Sequence, residues 1–129
     1  MRMRLPTGTS RVDPFLLLLR AVGLPAPVLE HRFALPRQWR ADYCWLAPYW
    51  LIVEREGGIT RGGRGGGTAL GGHSSVTGIR RDIEKSNAAQ LAGYRYLRFL
   101  PRELDSGAAL PTIRRALDQR AHREAERQE

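Results

Sequence analysis

The sequence predicts an α/β protein of the α+β kind, with one central mixed sheet of about four strands and elements in the order α-β-β-β-α-β-α. Three observations carry this prediction. Three short strand-like runs lie between residues 28 and 56, separated only by proline-containing breaks, and such spacings suit antiparallel neighbours. A glycine-dense stretch then leads to a helix-like run over 79–92 and, directly after it, a fourth strand-like run over 94–99. Apolar helical segments stand at both ends, where they can cover the sheet.

The first helix is announced by Asp13-Pro14 ahead of Phe15-Leu-Leu-Leu-Leu-Arg20. Aspartate suits an N-cap and proline the first helical position, and Gly23-Leu-Pro25 stops the helix. So short and apolar a helix belongs against a sheet. The strand runs are 28–33, 39–45 and 50–56, with Pro36 and Pro48-Tyr49 as breaks. In the second, Trp39, Ala41, Tyr43 and Trp45 alternate with Arg40, Asp42 and Cys44, so a period of two sets Asp42 opposite the aromatics. In the third, Ile52, Glu54 and Glu56 share one side. Two carboxylates on one strand face are costly unless something positive stands between them.

Residues 57–78 contain ten glycines and read as a mobile loop. The loop has neither a Gly-Lys-Ser/Thr element nor GxGxxG, so no nucleotide or dinucleotide fingerprint is supported. Its Arg61, Arg64 and His73 can reach a phosphate backbone, and a plain flexible insertion is the competing reading. In the helix over 79–92, Asp82, Lys85, Ala89 and Ala92 form one stripe whose small residues let it lie close to a sheet. Lys85 is then aimed toward the sheet's end, although Asp82 with Lys85 or Arg81 also reads as an ordinary helix ion pair. The fourth strand, 94–99, carries Arg95 and Arg98, at least one of which is expected at phosphate. A closing amphipathic helix spans about 109–125, with Leu110, Ile113 and Leu117 as its apolar stripe.

With 129 residues, 42% of them hydrophobic, the chain has material for one modest core. A single domain over 11–129 follows, behind a disordered stretch over residues 1–10. One cysteine, Cys44, excludes an internal disulfide framework and a cysteine-based zinc site, and reads as a buried strand thiol in a reducing compartment. The apolar run Phe15 to Leu19 is far short of the roughly 20 residues that span a bilayer and of a secretory h-region. No membrane partner and a cytoplasmic location are expected. The net charge of +8 favours a polyanion such as nucleic acid; plain solubility or a GC-rich genome is the alternative. Of the 21 basic residues only Lys85 is lysine. It either survives by chance or marks a place where a compact ammonium is needed rather than a planar fork.

Phosphodiester hydrolysis near neutral pH needs a divalent metal to lower the pKa of water and neutralise charge on the phosphate. Hard Mg²⁺ takes oxygen ligands. One carboxylate from each of two neighbouring strands meets that need, and Asp42 with the Glu54-Arg55-Glu56 segment fits it. In order along the chain stand Glu30-His-Arg-Phe33, Arg37-Gln-Trp-Arg-Ala-Asp42, Val53-Glu-Arg-Glu-Gly-Gly58, Gly72-His73, Asp82-Ile-Glu-Lys-Ser-Asn-Ala-Ala89 and Gly93-Tyr-Arg-Tyr-Leu-Arg-Phe99. From about Glu30 to Leu117 this order resembles the small PD-(D/E)XK nucleases, particularly compact phage and bacterial endonucleases related to the very-short-patch-repair enzymes.

The resemblance implies a restriction-endonuclease-like fold and a metal-dependent DNA endonuclease serving DNA repair, recombination or phage DNA processing. Its cofactor would be Mg²⁺, with Mn²⁺ as a substitute, and its partner DNA. A homodimer would allow both strands to be cut. The resemblance implies Asp42 and Glu54 as metal ligands, with Glu30 as a third acid, although a salt bridge with His31 or Arg32 competes for Glu30. Glu56 stands where the lysine of the family motif usually stands. In some relatives glutamate occupies that place, and in others a lysine from the following helix takes over; Lys85 is this chain's candidate. The long glycine loop also departs from the family, lacking the aromatic usual after the double glycine. The catalytic set expected is therefore Asp42, Glu54, Glu56 and Lys85, with Arg61, Arg64, His73, Arg95 and Arg98 on DNA. The alternatives are a non-catalytic nucleic-acid-binding module derived from a nuclease, and a structural or phage-assembly protein sharing the fold.

Overall fold

A computed structural model describes residues 12–57 and 76–127, with side chains described to residue 119. The described residues form an α+β structure built on one four-stranded mixed sheet in the order β1-β2-β3-β4. The elements are α1 (Pro14–Ala21), β1 (Val28–Arg32), β2 (Arg40–Trp45), β3 (Leu51–Arg55), α2 (Val76–Leu91), β4 (Arg95–Phe99), α3 (Pro101–Asp105) and α4 (Leu110–Arg127). The expected order is met with one addition, the short α3. The helix α2 starts at Val76, so the last three residues of the expected loop belong to it. The expected disorder over residues 1–10 lies outside the described residues.

The start of α1 follows from local chemistry: the Asp13 side chain accepts the Phe15 N–H at 2.9 Å, and Pro14 opens the helix. Its end is a turn with Gly23 at φ +77°, where the Leu24 N–H reaches back to the Leu19 carbonyl at 3.0 Å. Such a positive φ suits glycine, which has no Cβ to clash.

Strands β1, β2 and β3 pair antiparallel, and β3 pairs parallel with β4. Parallel neighbours need a crossover, and α2 lies in it. Alternation along β2 and β3 sorts side chains between two cores. Tyr43, Trp45, Leu51 and Val53 pack with Phe15 and Leu19 of α1, Leu104 of α3, and Ile113 and Leu117 of α4. On the other face Cys44 and Ile52 pack with Ala89 of α2 and Tyr94. The sheet is thus covered on both sides. Ala41 departs from the alternation and joins the second cluster. Cys44 is a buried free thiol whose burial pushes its pKa up to about 11, so it stays protonated and packs as a small hydrophobe. No helix among the described residues is long and apolar enough to cross a membrane.

Of the three tryptophans, Trp45 is core, its indole N–H donating to the Pro25 carbonyl at 2.8 Å. Trp50 packs edge-on against Tyr94, and Trp39 lies half-buried beneath the Arg37 guanidinium, 4.0 Å from its ring centre. Trp45 belongs to the first of the sheet's two cores, Trp50 packs against the second, and Trp39 joins neither.

Candidate functional site

The backbone pairing of β2 with β3 runs Trp45 to Leu51, Cys44 to Ile52 and Tyr43 to Val53. One step beyond, side chains take over from the ladder. The Asp42 N–H donates to Glu54 Oε2 at 2.8 Å, and the Arg55 N–H donates to Asp42 Oδ2 at 2.8 Å. Each carboxylate satisfies a backbone donor of the opposite strand, which locks the two acids together. The price of this arrangement is electrostatic. Burial, and then the neighbouring Glu54 carboxylate, push the Asp42 pKa up to about 6.

Glu54 is the one charged residue among the buried ones described, at 7% exposure. Three donors converge on it. Besides the Asp42 N–H on Oε2, its Oε1 accepts the Lys85 ammonium and the Tyr96 hydroxyl, the latter at 2.9 Å. Buried charge is tolerated only when paired and hydrogen-bonded, and Glu54 has both forms of compensation. The stripe expected on α2 explains how Lys85 arrives: Ala89 is fully buried against the sheet and lets the helix approach, and Lys85, one turn earlier, reaches the sheet's end. Ala92, expected in the same stripe, lies exposed beyond the helix. Burial and the Glu54 carboxylate raise the Tyr96 pKa far above its usual value, which keeps the phenol a donor.

These groups line a cleft of about 190 Å³ at the C-terminal ends of the parallel strands β3 and β4, together with Glu56, Asp82 and Arg98. Glu56 bonds to the Arg98 guanidinium. Its N–H donates to the Phe99 carbonyl at 2.8 Å, which continues the β3–β4 pairing past Arg55.

Glu30 is exposed, has φ +51°, and is not among the residues lining the cleft, but it borders a neighbouring depression that Asp42, Tyr43 and Arg55 also line. Arg95 begins β4 opposite Leu51, whereas Arg98 stands opposite Glu54. The Arg95 guanidinium donates to the Tyr49 carbonyl at 3.1 Å, in a groove shared with Thr112 and Arg115 of α4. Of the two strand arginines, only Arg98 lines the cleft. Arg61, Arg64 and His73 lie outside the described residues.

Two participants escaped the sequence reading. Tyr96 was one residue of a strand, and its meeting with Glu54 depends on the parallel register, which nothing local specifies; the Gly93-Tyr-Arg-Tyr segment was the available signal. Arg55 was the spacer between two glutamates. Its side chain faces the other side of the sheet, donating to both Asp105 oxygens at 3.0 and 3.1 Å and to the Tyr43 hydroxyl at 2.9 Å. Tyr43 in turn donates to Asp13 Oδ2 at 2.5 Å. Thus the residue whose N–H holds Asp42 is itself clamped to the ends of α1 and α3.

Among the described residues no group of three or more His, Cys, Asp and Glu side chains converges as a metal cage. Of the four acidic residues that line the cleft, Asp42 and Glu54 are the pair tied across neighbouring strands. Comparison with known proteins finds no match among protein families, curated proteins or solved structures.

Proposed function

We propose that the chain is a Mg²⁺-dependent DNA endonuclease of the PD-(D/E)XK kind, with a restriction-endonuclease-like fold. The observation that carries this reading is the pairing of Asp42 and Glu54 across two strand ends with Lys85 delivered from the next helix. The donor set fits a hard divalent cation. Burial, and then the charge of the neighbouring Glu54, raise the pKa of Asp42, and added positive charge would relieve the repulsion between the two carboxylates. Mg²⁺ keeps several waters and asks for only one or two carboxylates plus substrate phosphate.

Asp42 and Glu54 would hold the cation. When bound, it would lower the pKa of water and neutralise charge on the phosphate. Tyr96 and the Asp42 N–H fix the Glu54 carboxylate, and the Arg55 N–H fixes Asp42. Lys85 supplies an ammonium beside the scissile phosphate, and Glu56 accepts a hydrogen bond from the attacking water. Arg98, at the cleft rim and 45% exposed, holds the DNA backbone. A homodimer would present two such clefts, one for each strand. Purified protein with Mg²⁺ should nick plasmid DNA, and Asp42→Ala should not; cleavage surviving both Asp42→Ala and Glu54→Ala would refute the assignment.

A second reading, a non-catalytic DNA-binding derivative of a nuclease, is favoured by one observation: Glu56, in the lysine's usual place, is tied to Arg98. It predicts DNA binding indifferent to Mg²⁺ or Ca²⁺ and no cation uptake by calorimetry.

A further inference from the structure

We infer that Lys85 is a displaceable counter-ion: its ammonium occupies Glu54 in the metal-free cleft and leaves that carboxylate when a divalent cation is taken up. The inference rests on the reading of Asp42 and Glu54 as the cation-holding pair and adds an order of events to it.

Geometry carries the inference. Glu54 Oε1 already receives the Tyr96 hydroxyl, and Oε2 the Asp42 N–H. A carboxylate has about four lone-pair sites, so Lys85 takes one of the few that remain on a side chain that is 9% exposed. A single positive charge on Glu54, in the cleft that Asp42 also lines, is the electrostatic role a bound cation would take over. Two cations crowded against one buried carboxylate would repel each other, so occupancy by one disfavours the other.

The side chain is free to make the exchange. Lysine has a flexible four-carbon stem and a compact head, and the Lys85 side chain retains 20% exposure toward the cleft. Asp82, one helical turn earlier on α2 and lining the same cleft, stands within reach of a displaced ammonium. By contrast Tyr96 and the Asp42 N–H are fixed by the sheet and remain on Glu54 throughout. The consequence is ordered arming: the ammonium becomes available to a phosphate once the cation has arrived, and in its absence it keeps the two acids together.

Lys85 is the sole lysine of the chain, so selective isotopic labelling of lysine gives one side-chain ε-methylene signal in the unaltered protein. Titration with Ca²⁺, followed by that signal and by calorimetry, is the test. Saturation should move the lysine signal in step with the calorimetric isotherm. Lys85→Met, matched in length and uncharged, should bind Ca²⁺ at least fivefold more tightly and gain more melting temperature from it than the parent. Ca²⁺ uptake with an unmoved lysine signal, or with equal or weaker affinity in Lys85→Met, overturns the inference and leaves the proposed function standing. Absence of Ca²⁺ uptake in both proteins refutes the cation site itself, and the inference with it.

Discussion

Replacing Asp42 by asparagine should stabilise the metal-free protein at neutral pH, and the size of the gain follows from the site. Burial, and then the Glu54 carboxylate beside it, raise the Asp42 pKa from 3.8 to about 6. A raised carboxyl pKa means the folded chain keeps a proton that the unfolded chain releases, so stability falls as pH rises from about 4 to about 6 and levels off above. Each unit is worth about 1.4 kcal/mol; discounted for the solvent that reaches this half-buried side chain, the penalty above pH 6 is about 1 to 2 kcal/mol. Asparagine keeps the acceptor for the Arg55 N–H and offers Glu54 an N–H₂ in place of a charge. Thermal melts in EDTA from pH 4 to 8 should show Asp42→Asn gaining about 4 to 8 °C at pH 7.5, with its difference from the parent vanishing near pH 4. Millimolar Mg²⁺ should raise the parent and leave the variant unmoved. A variant that melts at or below the parent at pH 7.5 without metal, with an unchanged pH profile, would show that burial and the Glu54 charge do not penalise ionised Asp42 as argued.

Other consequences are more local. Tyr96→Phe removes one of three donors from buried Glu54 and should cost about 1.5 to 3 kcal/mol in urea unfolding, with cleavage reduced and the far-ultraviolet circular dichroism retained. Arg55→Met cuts the ties to Asp105 and Tyr43; unfolding should ease by about 1 to 2 kcal/mol, and cleavage should fall further than that loss explains because the N–H that holds Asp42 is set loose. Arg98→Ala should lower DNA affinity and reduce the salt slope by about one, whereas Arg95→Ala, at the far end of β4, should leave that slope unchanged in the same filter-binding series. Lys85→Arg should abolish cleavage, while Arg37→Lys, whose partner Glu84 is exposed, should be neutral in the plasmid assay.

What could be read from the sequence was what local chemistry decides. Asp13, Pro14 and Gly23 bound α1 through contacts within a few residues, and strand alternation set Asp42 opposite the aromatics of β2 and Glu54 on one side of β3. The helix α3 was missed because five residues carry no periodicity; its N-terminus is set by Glu103 reaching back to the Leu100 N–H at 2.8 Å. Partnerships that span the chain were missed for a different reason. Arg55 finds Asp13 and Asp105 at separations of 42 and 50 residues, and Tyr96 reaches Glu54 through a parallel register set by the crossover. Alternation says which face a side chain takes, and only tertiary packing says who waits there.

The single lysine shows how composition and packing combine. A planar fork suits surface positions such as those of Arg37, which meets Glu84, and Arg98, which meets Glu56. Position 85 presents a different demand. A guanidinium there would seek both oxygens of Glu54, but Oε2 is engaged by the Asp42 N–H and Oε1 is shared with the Tyr96 hydroxyl. A bidentate contact would have to dislodge a backbone donor that holds β2 to β3, loosening the acid pair it was meant to neutralise. A compact ammonium needs one lone pair and leaves the lock intact, so chemistry that tolerates arginine everywhere else on this chain has a steric and hydrogen-bonding reason to keep lysine here.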